Sequence, residues 1–384
     1  MYMQHDYNKE ALELHRENKG KIEIGIKVPL ANRDDLSRAY TPGVAEVCRE
    51  IGKDKSLAYE YTLKANTVAI VTDGSAILGL GNLGPEAAIP VMEGKAAILK
   101  AFAGVDAFPI CLDTQDTEEI IKAVKQLAPV FGAINLEDIS APRCFEIEER
   151  LRKELLIPVM HDDQWGAGTV SLTAFINAIK LRGIAKEEAR VVLSGIGAAG
   201  VATARLLFAY GVKHIVFCDS KGIIHTDRDD LTKEKKELLA QSVADVKEGG
   251  LKDAVQGAHV FIGLSKPDVL TKEMVKSMAE RPIIFALANP TPEIMPEVAH
   301  AAGAFIVATG RSDYPNQINN SLVFPGAFRG MLEARIPQFK TEMFVAIAEG
   351  LAQVVPDVST EKILPSMFDE GVAELVSSIV KQFK

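Results

Sequence analysis

The sequence predicts an α/β fold divided into two domains, and three observations support this prediction. Short apolar runs of strand length alternate with stretches of helical periodicity along the whole chain. A glycine-rich turn at residues 195–200 stands directly between such a run and a helical stretch. The 384 residues also exceed what a single hydrophobic core usually holds. Alternating strands and helices favour mostly parallel sheets, one of them a doubly wound, Rossmann-type sheet.

The first half of the chain is expected to form one α/β domain. Its apolar runs predict strands at residues 67–72, 106–112, 132–136 and 157–160. Helical spacing of apolar residues predicts helices at 86–103 and 168–181. Chemistry-rich loops follow the last of these strands, so we place a domain boundary near residue 161.

The second half is more regular. Strands are expected at 191–194, 214–218, 259–263, 283–287 and 305–308, with a helix at 198–210 after the first of them. Five strands that alternate with helices are typical of a doubly wound domain. The tail from residue 328 to 384 is mainly helical, and we expect it to pack back on the first domain. The predicted division is therefore 1–160 plus 320–384 for one domain and 161–319 for the other.

Composition excludes several classes of protein. The chain is 47% hydrophobic and 25% charged, which is typical of a globular protein and not of a disordered one. The formal net charge of −9 and the lack of a basic block argue against a nucleic-acid partner. No apolar run reaches the roughly 18 residues of a membrane helix, and the polar N-terminus lacks an apolar signal core. We therefore expect a cytoplasmic protein without a membrane partner. The four cysteines form no CxxC pair.

The turn at residues 195–200 predicts a nicotinamide dinucleotide site. Gly195, Gly197 and Gly200 form a GxGxxG pattern between a strand and a helix, which permits a tight turn and close approach of a pyrophosphate. Asp219 ends the next strand, where a carboxylate would hold the ribose hydroxyls of NAD and repel a 2′-phosphate. NADP stays possible because four lysines follow that could neutralise such a phosphate. These lysines are Lys221, Lys233, Lys235 and Lys236. The turn residues expected to contact the cofactor are Gly195, Ile196, Gly197, Ala198, Ala199 and Gly200.

Two acidic pairs follow two strands of the first domain. Glu137 and Asp138 come after the strand at 132–136, and Asp162 and Asp163 come after the strand at 157–160. Ligands of parallel sheets bind beyond the carboxyl ends of the strands, so the two pairs can converge. Oxygen ligands alone suit Mg²⁺ or Mn²⁺. His161 lies beside them and could be a ligand, but we expect it to be a hydrogen-bonded structural histidine.

Several segments now resemble the malic enzyme family, in the order in which that family carries them. They are YTPGV (40–44), TDGSAILGLGNLG (72–84), PVMEGKAAI (90–98), NLEDI (135–139), HDDQWGAGT (161–169), ALANPTPE (286–293) and GRSDYPNQINNSLVFPG (310–326). The resemblance extends from about residue 20 to residue 335. It implies oxidative decarboxylation of malate to pyruvate and CO₂ with reduction of NAD(P)⁺, a divalent metal, and a homodimer.

The resemblance also implies roles for particular residues. Tyr40 and Lys95 match the residues that move protons, with Lys95 accepting the proton of the C2 hydroxyl and Tyr40 protonating C3. Asp162 matches a carboxylate beside the lysine. The metal carboxylates match Glu137, Asp138 and Asp163. The residues expected to bind malate are Lys95, Asn289 and Asn320, with Asn319 adjacent, and Asn289 is also expected to contact the cofactor.

Two departures from the family pattern stand out. Longer members carry an arginine in the DGxxILGLG segment that binds a malate carboxylate, whereas this chain has Ala76. The residues after HDDQ usually read xGTA, whereas here they are Trp165 to Gly168, which predicts a looser helix start and leaves Trp165 without a role.

Three alternatives remain open from the residues. A metal-independent two-domain amino-acid dehydrogenase also pairs a lysine with a GxGxxG turn, but the acidic pairs argue against it. A malolactic or oxaloacetate-decarboxylating enzyme would use the same site without net redox change. A non-catalytic dinucleotide sensor, as part of a fusion, is disfavoured by the presence of Tyr40 and Lys95 and by the end of the chain at residue 384.

Overall fold

The computed structural model describes residues 6–245 and 248–384. Its strands, in chain order, are β1 (Thr67–Thr72), β2 (Asp106–Cys111), β3 (Ala133–Leu136), β4 (Val159–His161), β5 (Arg190–Ser194), β6 (His214–Asp219), β7 (Gly222–Ile223), β8 (Val260–Gly263), β9 (Ile283–Ala286) and β10 (Ile306–Thr309). Its helices are α1 (Tyr7–Asn18), α2 (Arg33–Ala39), α3 (Val44–Lys53), α4 (Ala58–Tyr61), α5 (Pro85–Ala103), α6 (Thr117–Leu127), α7 (Arg143–Glu154), α8 (Asp162–Arg182), α9 (Ala198–Tyr210), α10 (Lys233–Gln241), α11 (Leu251–Ala254), α12 (Lys272–Ser277), α13 (Pro296–Ala301), α14 (Phe324–Ala334), α15 (Thr341–Gln353) and α16 (Val372–Lys381).

The first sheet has four parallel strands in the order β2-β1-β3-β4. β1 and β3 are buried along their whole length, which agrees with their unbroken apolar sequences. In the register, Val71 pairs with Leu136, and Leu136 pairs with His161. The residues that follow β1, β3 and β4 therefore emerge side by side at one edge of this sheet.

The second sheet has six strands in the order β10-β9-β8-β5-β6-β7. The five expected strands are parallel, and the prediction of an α/β fold with a doubly wound sheet is confirmed. β7 was not predicted, because it has two residues and pairs antiparallel with the end of β6. Its hairpin turns the chain back immediately after Asp219.

Helix α8 begins at Asp162, six residues earlier than the sequence predicted, so the expectation of a loose start is wrong. Asp162 and Asp163 occupy its first turn, where the helix dipole favours negative charge. Gly168 allows close contact with α9, because a Cβ at this position would lie 3.0 Å from a methyl group of Leu206. Helix α8 is buried over most of its length and joins the two sheets.

The helical tail packs against both halves of the chain. α14 contacts α5 and β3 of the first half, and α16 packs on α14. α15 instead packs on α8 and α9. The domain division at residues 160 and 320 stays a prediction. Among the described helices, none combines the length and the apolar character needed to cross a lipid bilayer.

Candidate active site

The two acidic pairs meet beyond the carboxyl ends of β3 and β4. Glu137, Asp138 and Asp163 each place a carboxylate oxygen within 4.8 Å of the others, and we call these three residues the carboxylate cluster. Asp163 also accepts a hydrogen bond of 2.8 Å from the backbone N–H of Asp138, which fixes the two loops to each other. The adjacent parallel strands bring the cluster together, because they end at the same edge of the sheet.

Lys95 projects from α5 into this cluster and is buried. Its Nζ lies 2.8 Å from Oε1 of Glu137 and makes a still shorter ion pair with Asp162. The ring centre of Phe324 lies 4.6 Å from the same nitrogen. Burial lowers the pKa of Lys95, but the carboxylates of Asp162 and Glu137 outweigh it and raise the pKa overall. Lys95 and Asp162 are thus in direct contact for proton exchange.

Burial dominates the acid–base state of the carboxylates. It raises the pKa of Glu137 and of Asp162, against the opposing charge of Lys95. Burial and the charge of Asp163 raise the pKa of Asp138 to about 7. The Oδ2 atom of Asp138 is buried and has no hydrogen-bond partner among the described residues. Close carboxylates with an unsatisfied buried oxygen fit a hard divalent cation, which would satisfy both the charge and the missing ligand contact.

A glycine-rich loop, residues 73–84, closes over the cluster from β1. The backbone N–H of Ala76 donates to the carbonyl of Asp138 at 2.9 Å. Asp73 anchors the start of the loop through a 2.8 Å ion pair with Arg143, which also donates to the hydroxyl of Ser75. Sequence reasoning missed Arg143, because its partner lies 70 residues away in the chain.

The structure gives Trp165 a contact that the sequence did not reveal. Its indole Nε1 donates to the buried carboxylate of Glu148 at 2.9 Å, and its ring stacks on Phe344. Glu148 also accepts hydrogen bonds from the backbone N–H of His161 at 3.0 Å and from the amide of Gln164 at 2.9 Å. Glu148 therefore fixes the first turn of α8, which carries Asp162 and Asp163. The His161 ring nitrogens have no hydrogen-bond partner among the described residues, contrary to the expectation of a hydrogen-bonded histidine.

The two asparagines contact different elements around the site. Asn289 follows β9 and touches the loop from the first half, since a Cβ at Gly79 would lie 1.8 Å from its carbonyl oxygen. Asn320 lies near the start of α8. A Cβ at Gly166 would be 3.0 Å from the Cβ of Asn320 and 1.9 Å from Oδ1 of Asp162. Both asparagines are thus adjacent to elements that carry the site.

Tyr40 is the one predicted catalytic residue that the structure does not bring to the others. It follows α2, its side chain is 66% exposed, and its hydroxyl makes no hydrogen bond with a described residue. The helices α1, α2 and α3 around it bury a single residue, Asp35. No local pattern of residues indicates that this segment lies apart from the core of its own chain.

The turn at residues 195–200 has the geometry of a dinucleotide site. Gly195 adopts a φ of 101°, which favours glycine, and its N–H donates to the carbonyl of Cys218 at 2.8 Å. A Cβ at Gly200 would lie 2.0 Å from the oxygen of Gly195, whereas the space around Gly197 is open. Helix α9 begins at Ala198 without a side-chain cap, so its first N–H groups are available to phosphate oxygens. The turn therefore fits a pyrophosphate.

Asp219 ends β6 beside this turn, as predicted, but its carboxylate is already engaged. Arg228 donates to both oxygens at 2.9 Å, and Lys235 donates to one of them at 2.7 Å. Burial raises the pKa of Asp219, but these hydrogen bonds outweigh it and lower the pKa to about 2. Hydrogen bonding of Asp219 to the ribose hydroxyls stays a prediction, and in this structure its carboxylate is occupied by donors of the protein itself.

Comparison with known proteins agrees with this geometry. The model of the malic enzyme N-terminal domain matches residues 19–152, and that of the malic enzyme NAD binding domain matches residues 165–381. The bifunctional malic/malolactic enzyme of Bacillus subtilis is 54% identical over 374 residues, which are 97% of this chain and 91% of that protein. The NAD-dependent malic enzyme of Geobacillus stearothermophilus is 54% identical over 94% of this chain and 76% of its own length. The crystal structure of the NAD-dependent malic enzyme from Thermotoga maritima superposes with a TM-score of 0.93 at 49% identity, covering 97% of this chain and 98% of that chain.

Proposed function

The chain belongs to the malic enzyme family, and we propose that the site formed by Lys95, Asp162 and the carboxylate cluster carries its reaction. The enzyme oxidises malate with a nicotinamide dinucleotide and decarboxylates it to pyruvate. One observation carries the assignment of the site. A buried lysine lies 2.8 Å from one acid of a three-carboxylate cluster, beside a carboxylate that can accept its proton.

The cluster is suited to Mg²⁺ or Mn²⁺. Glu137, Asp138 and Asp163 would hold the ion, and the unsatisfied Oδ2 of Asp138 supports this assignment. A bound divalent cation would supply Lewis acidity toward the oxygens of the substrate. Its positive charge would also lower the pKa of Lys95, against the carboxylates that raise it. The bound dinucleotide supplies the hydride acceptor at the carboxyl edge of the second sheet.

The residues of the chain handle the protons and the position of the substrate. Lys95 accepts the proton of the C2 hydroxyl and can pass it to Asp162, with which it is in contact. Asn320 and Asn289 orient malate, and this role is supported by the contact of Asn320 with the first turns of α8 and of Asn289 with the loop at Gly79. After CO₂ has left, Tyr40 donates a proton to C3 and pyruvate is released.

A homodimer would explain the exposed N-terminal segment. Ile24, Ile26, Val28 and Leu30 are more than half exposed in a segment tethered to α5 by Lys21. Four exposed apolar side chains at alternate positions of one segment are typical of an interface. We place this segment between two copies of the chain, and Tyr40 in the site of the partner.

Mixing two inactive variants tests this arrangement. Tyr40→Phe and Lys95→Ala chains, mixed and allowed to exchange subunits, form heterodimers with one complete site, so activity should return to about a quarter of the wild-type value. Sedimentation establishes the oligomeric state. If heterodimers form and stay inactive, Tyr40 serves its own chain.

The activity itself is tested by following the absorbance of the reduced nicotinamide with malate and Mn²⁺, with NAD⁺ and NADP⁺ in parallel. EDTA should abolish turnover and leave binding of the reduced dinucleotide intact, because the two sites lie on different sheets. Lys95→Ala should lose roughly 10²–10⁴-fold in the rate of malate oxidation and still decarboxylate oxaloacetate.

Lactate in place of pyruvate would indicate the malolactic reaction in the name of the Bacillus subtilis relative. A cytoplasmic location stays a prediction for cell fractionation.

A further inference from the structure

Glu293 is a buried acid that has no role in the proposed chemistry. It lies between β9 and α13, and no part of it is exposed to solvent. Among the described residues no cation pairs with it, and burial raises its pKa although hydrogen bonds from N–H groups oppose the shift. A buried charge without a counter-ion is unfavourable, so a neutral side chain would serve better at a position that only fills space. The acid is therefore explained by the bonds that it accepts.

The carboxylate of Glu293 joins two loops at the carboxyl edge of the second sheet. Its Oε1 accepts the backbone N–H of Ser265 at 2.8 Å, two residues after β8 ends. Its Oε2 accepts the backbone N–H of Ala288 at 3.0 Å, two residues after β9 ends. Both oxygens of an ionised carboxylate are acceptors, so one side chain can serve both donors. Glu293 thus fixes the spacing of the loops that follow two adjacent strands.

The loop after β8 adjoins the glycine turn. The hydroxyl of Ser265 lies 3.3 Å from the hydroxyl of Ser194, the residue before Gly195. A Cβ at Gly195 would lie 2.3 Å from the carbonyl oxygen of Leu264, so the turn and the loop are in direct contact. A dinucleotide bound at the turn occupies the crevice beyond the carboxyl ends of the strands and therefore passes this loop.

The loop after β9 carries Asn289, the residue after Ala288 and one of the two asparagines proposed to bind malate. The carbonyl of Asn289 borders Gly79 in the loop from the first half of the chain, and its side chain faces Gly310. Glu293 therefore links the loop beside the dinucleotide to the loop that meets the substrate. Hydride transfer needs both ligands in one geometry, and a misplacement of about 1 Å can cost about 10²-fold in rate.

We infer that Glu293 is a positioning residue for hydride transfer, which holds Asn289, and with it malate, at a fixed distance from the bound dinucleotide. Glu293 touches neither ligand and takes no part in proton transfer. The inference rests on the proposed function, because it concerns the alignment of malate with the dinucleotide.

Glu293→Gln tests this inference with a side chain of the same shape. Glutamine offers one acceptor oxygen and an NH₂ group, so one of the two backbone N–H groups loses its partner. The kcat for malate oxidation should fall roughly 10–100-fold. The deuterium isotope effect on kcat, measured with malate labelled at C2, should rise because hydride transfer then limits the rate. Decarboxylation of oxaloacetate with Mn²⁺ involves no hydride transfer and should fall by a much smaller factor.

Two further variants complete the test. Glu297→Gln is the matched control, since Glu297 is an exposed acid of α13 that accepts a hydrogen bond of 2.9 Å from the hydroxyl of Tyr314. It should equal the wild type in both assays. Gly263→Ala keeps Glu293 but would place a Cβ 2.4 Å from its Cδ, so it should displace the carboxylate and give the same difference between the assays. Binding of NADH, followed by fluorescence, should persist in all three variants because the glycine turn is unchanged.

The outcomes separate this inference from the proposed function. With an active wild type, equal losses of malate oxidation and oxaloacetate decarboxylation in Glu293→Gln overturn the inference alone, as does an unchanged isotope effect. A Glu293→Gln chain that no longer binds NADH also overturns it, because Glu293 would then hold the fold of the second sheet. A wild type that does not oxidise malate contradicts the proposed function, and the inference falls with it.

Discussion

Replacing Asp138 by asparagine should stabilise the metal-free protein at neutral pH and remove its response to Mn²⁺. Burial and the charge of Asp163 raise the pKa of Asp138 from 3.8 to about 7. The folded state therefore binds this proton more tightly than the unfolded state. Stability falls as the pH rises from about 4 to about 7, because the unfolded chain ionises first, and the loss is complete above pH 7. Asparagine carries no such charge and tolerates the φ of 51° at this position.

The magnitude follows from the size of the pKa shift. Three pKa units correspond to roughly 4 kcal/mol at most. The remaining carboxylates still repel each other after one is replaced, so we expect about 1–2 kcal/mol, which is a few degrees in melting temperature. The difference between variant and wild type should be present at pH 8 in EDTA and vanish near pH 4. Mn²⁺ should raise the melting temperature of the wild type much more than that of the variant.

Asp73→Asn is the matched control for this experiment. Asp73 is also buried, but its charge is compensated by Arg143 at 2.8 Å. Its replacement should destabilise the protein at pH 8, because the partly buried guanidinium of Arg143 loses its charged partner. The reasoning is refuted if Asp138→Asn lowers the melting temperature in EDTA at pH 8, or if Mn²⁺ stabilises that variant as much as the wild type.

Two further substitutions test how the site is assembled. Gly79→Ala would place a Cβ 1.8 Å from the carbonyl oxygen of Asn289. The value of kcat/KM for malate should therefore fall about 10-fold or more, while the melting temperature changes little. Leu80→Ala is the control in the same loop, and it should be near wild type because its side chain is exposed. Glu148→Gln loses the charged hydrogen bonds from His161 and Trp165. The free energy of unfolding, measured in urea, should therefore fall by roughly 1.5–3 kcal/mol. An unchanged midpoint would show that Glu148 does not hold α8.

The fold could be predicted where the sequence signal is local. The strand at 67–72 and the helix at 198–210 have the predicted bounds, because each is an uninterrupted apolar or periodic run. The start of α8 could not be predicted, because the residues from Asp162 to Gly166 show no helical periodicity of apolar side chains and are held by Glu148 from another helix. Strand β7 has two residues and exists only through pairing with β6.

The site shows the same distinction. The convergence of Glu137, Asp138 and Asp163 could be predicted, since neighbouring parallel strands fix where their following residues emerge. Glu148 and Arg143 could not, because each acts through contacts with residues far away or in another element. Their positions in helix α7 have the polar pattern of an ordinary helix face.

Asp219 shows why a correct position does not establish a role. Its place at the end of β6 is set by strand length and could be predicted, and the general rule for such an acid is hydrogen bonding to ribose. Whether the acid is free to do so depends on Arg228 and Lys235, which lie 9 and 16 residues further along the chain and reach it through the β7 hairpin and the first turn of α10. With its four acceptor positions filled, Asp219 holds Arg228 and Lys235 at the end of β6. A role inferred from the position of an acid alone therefore omits the cations that determine the charge around it, because those cations come from later elements of the chain.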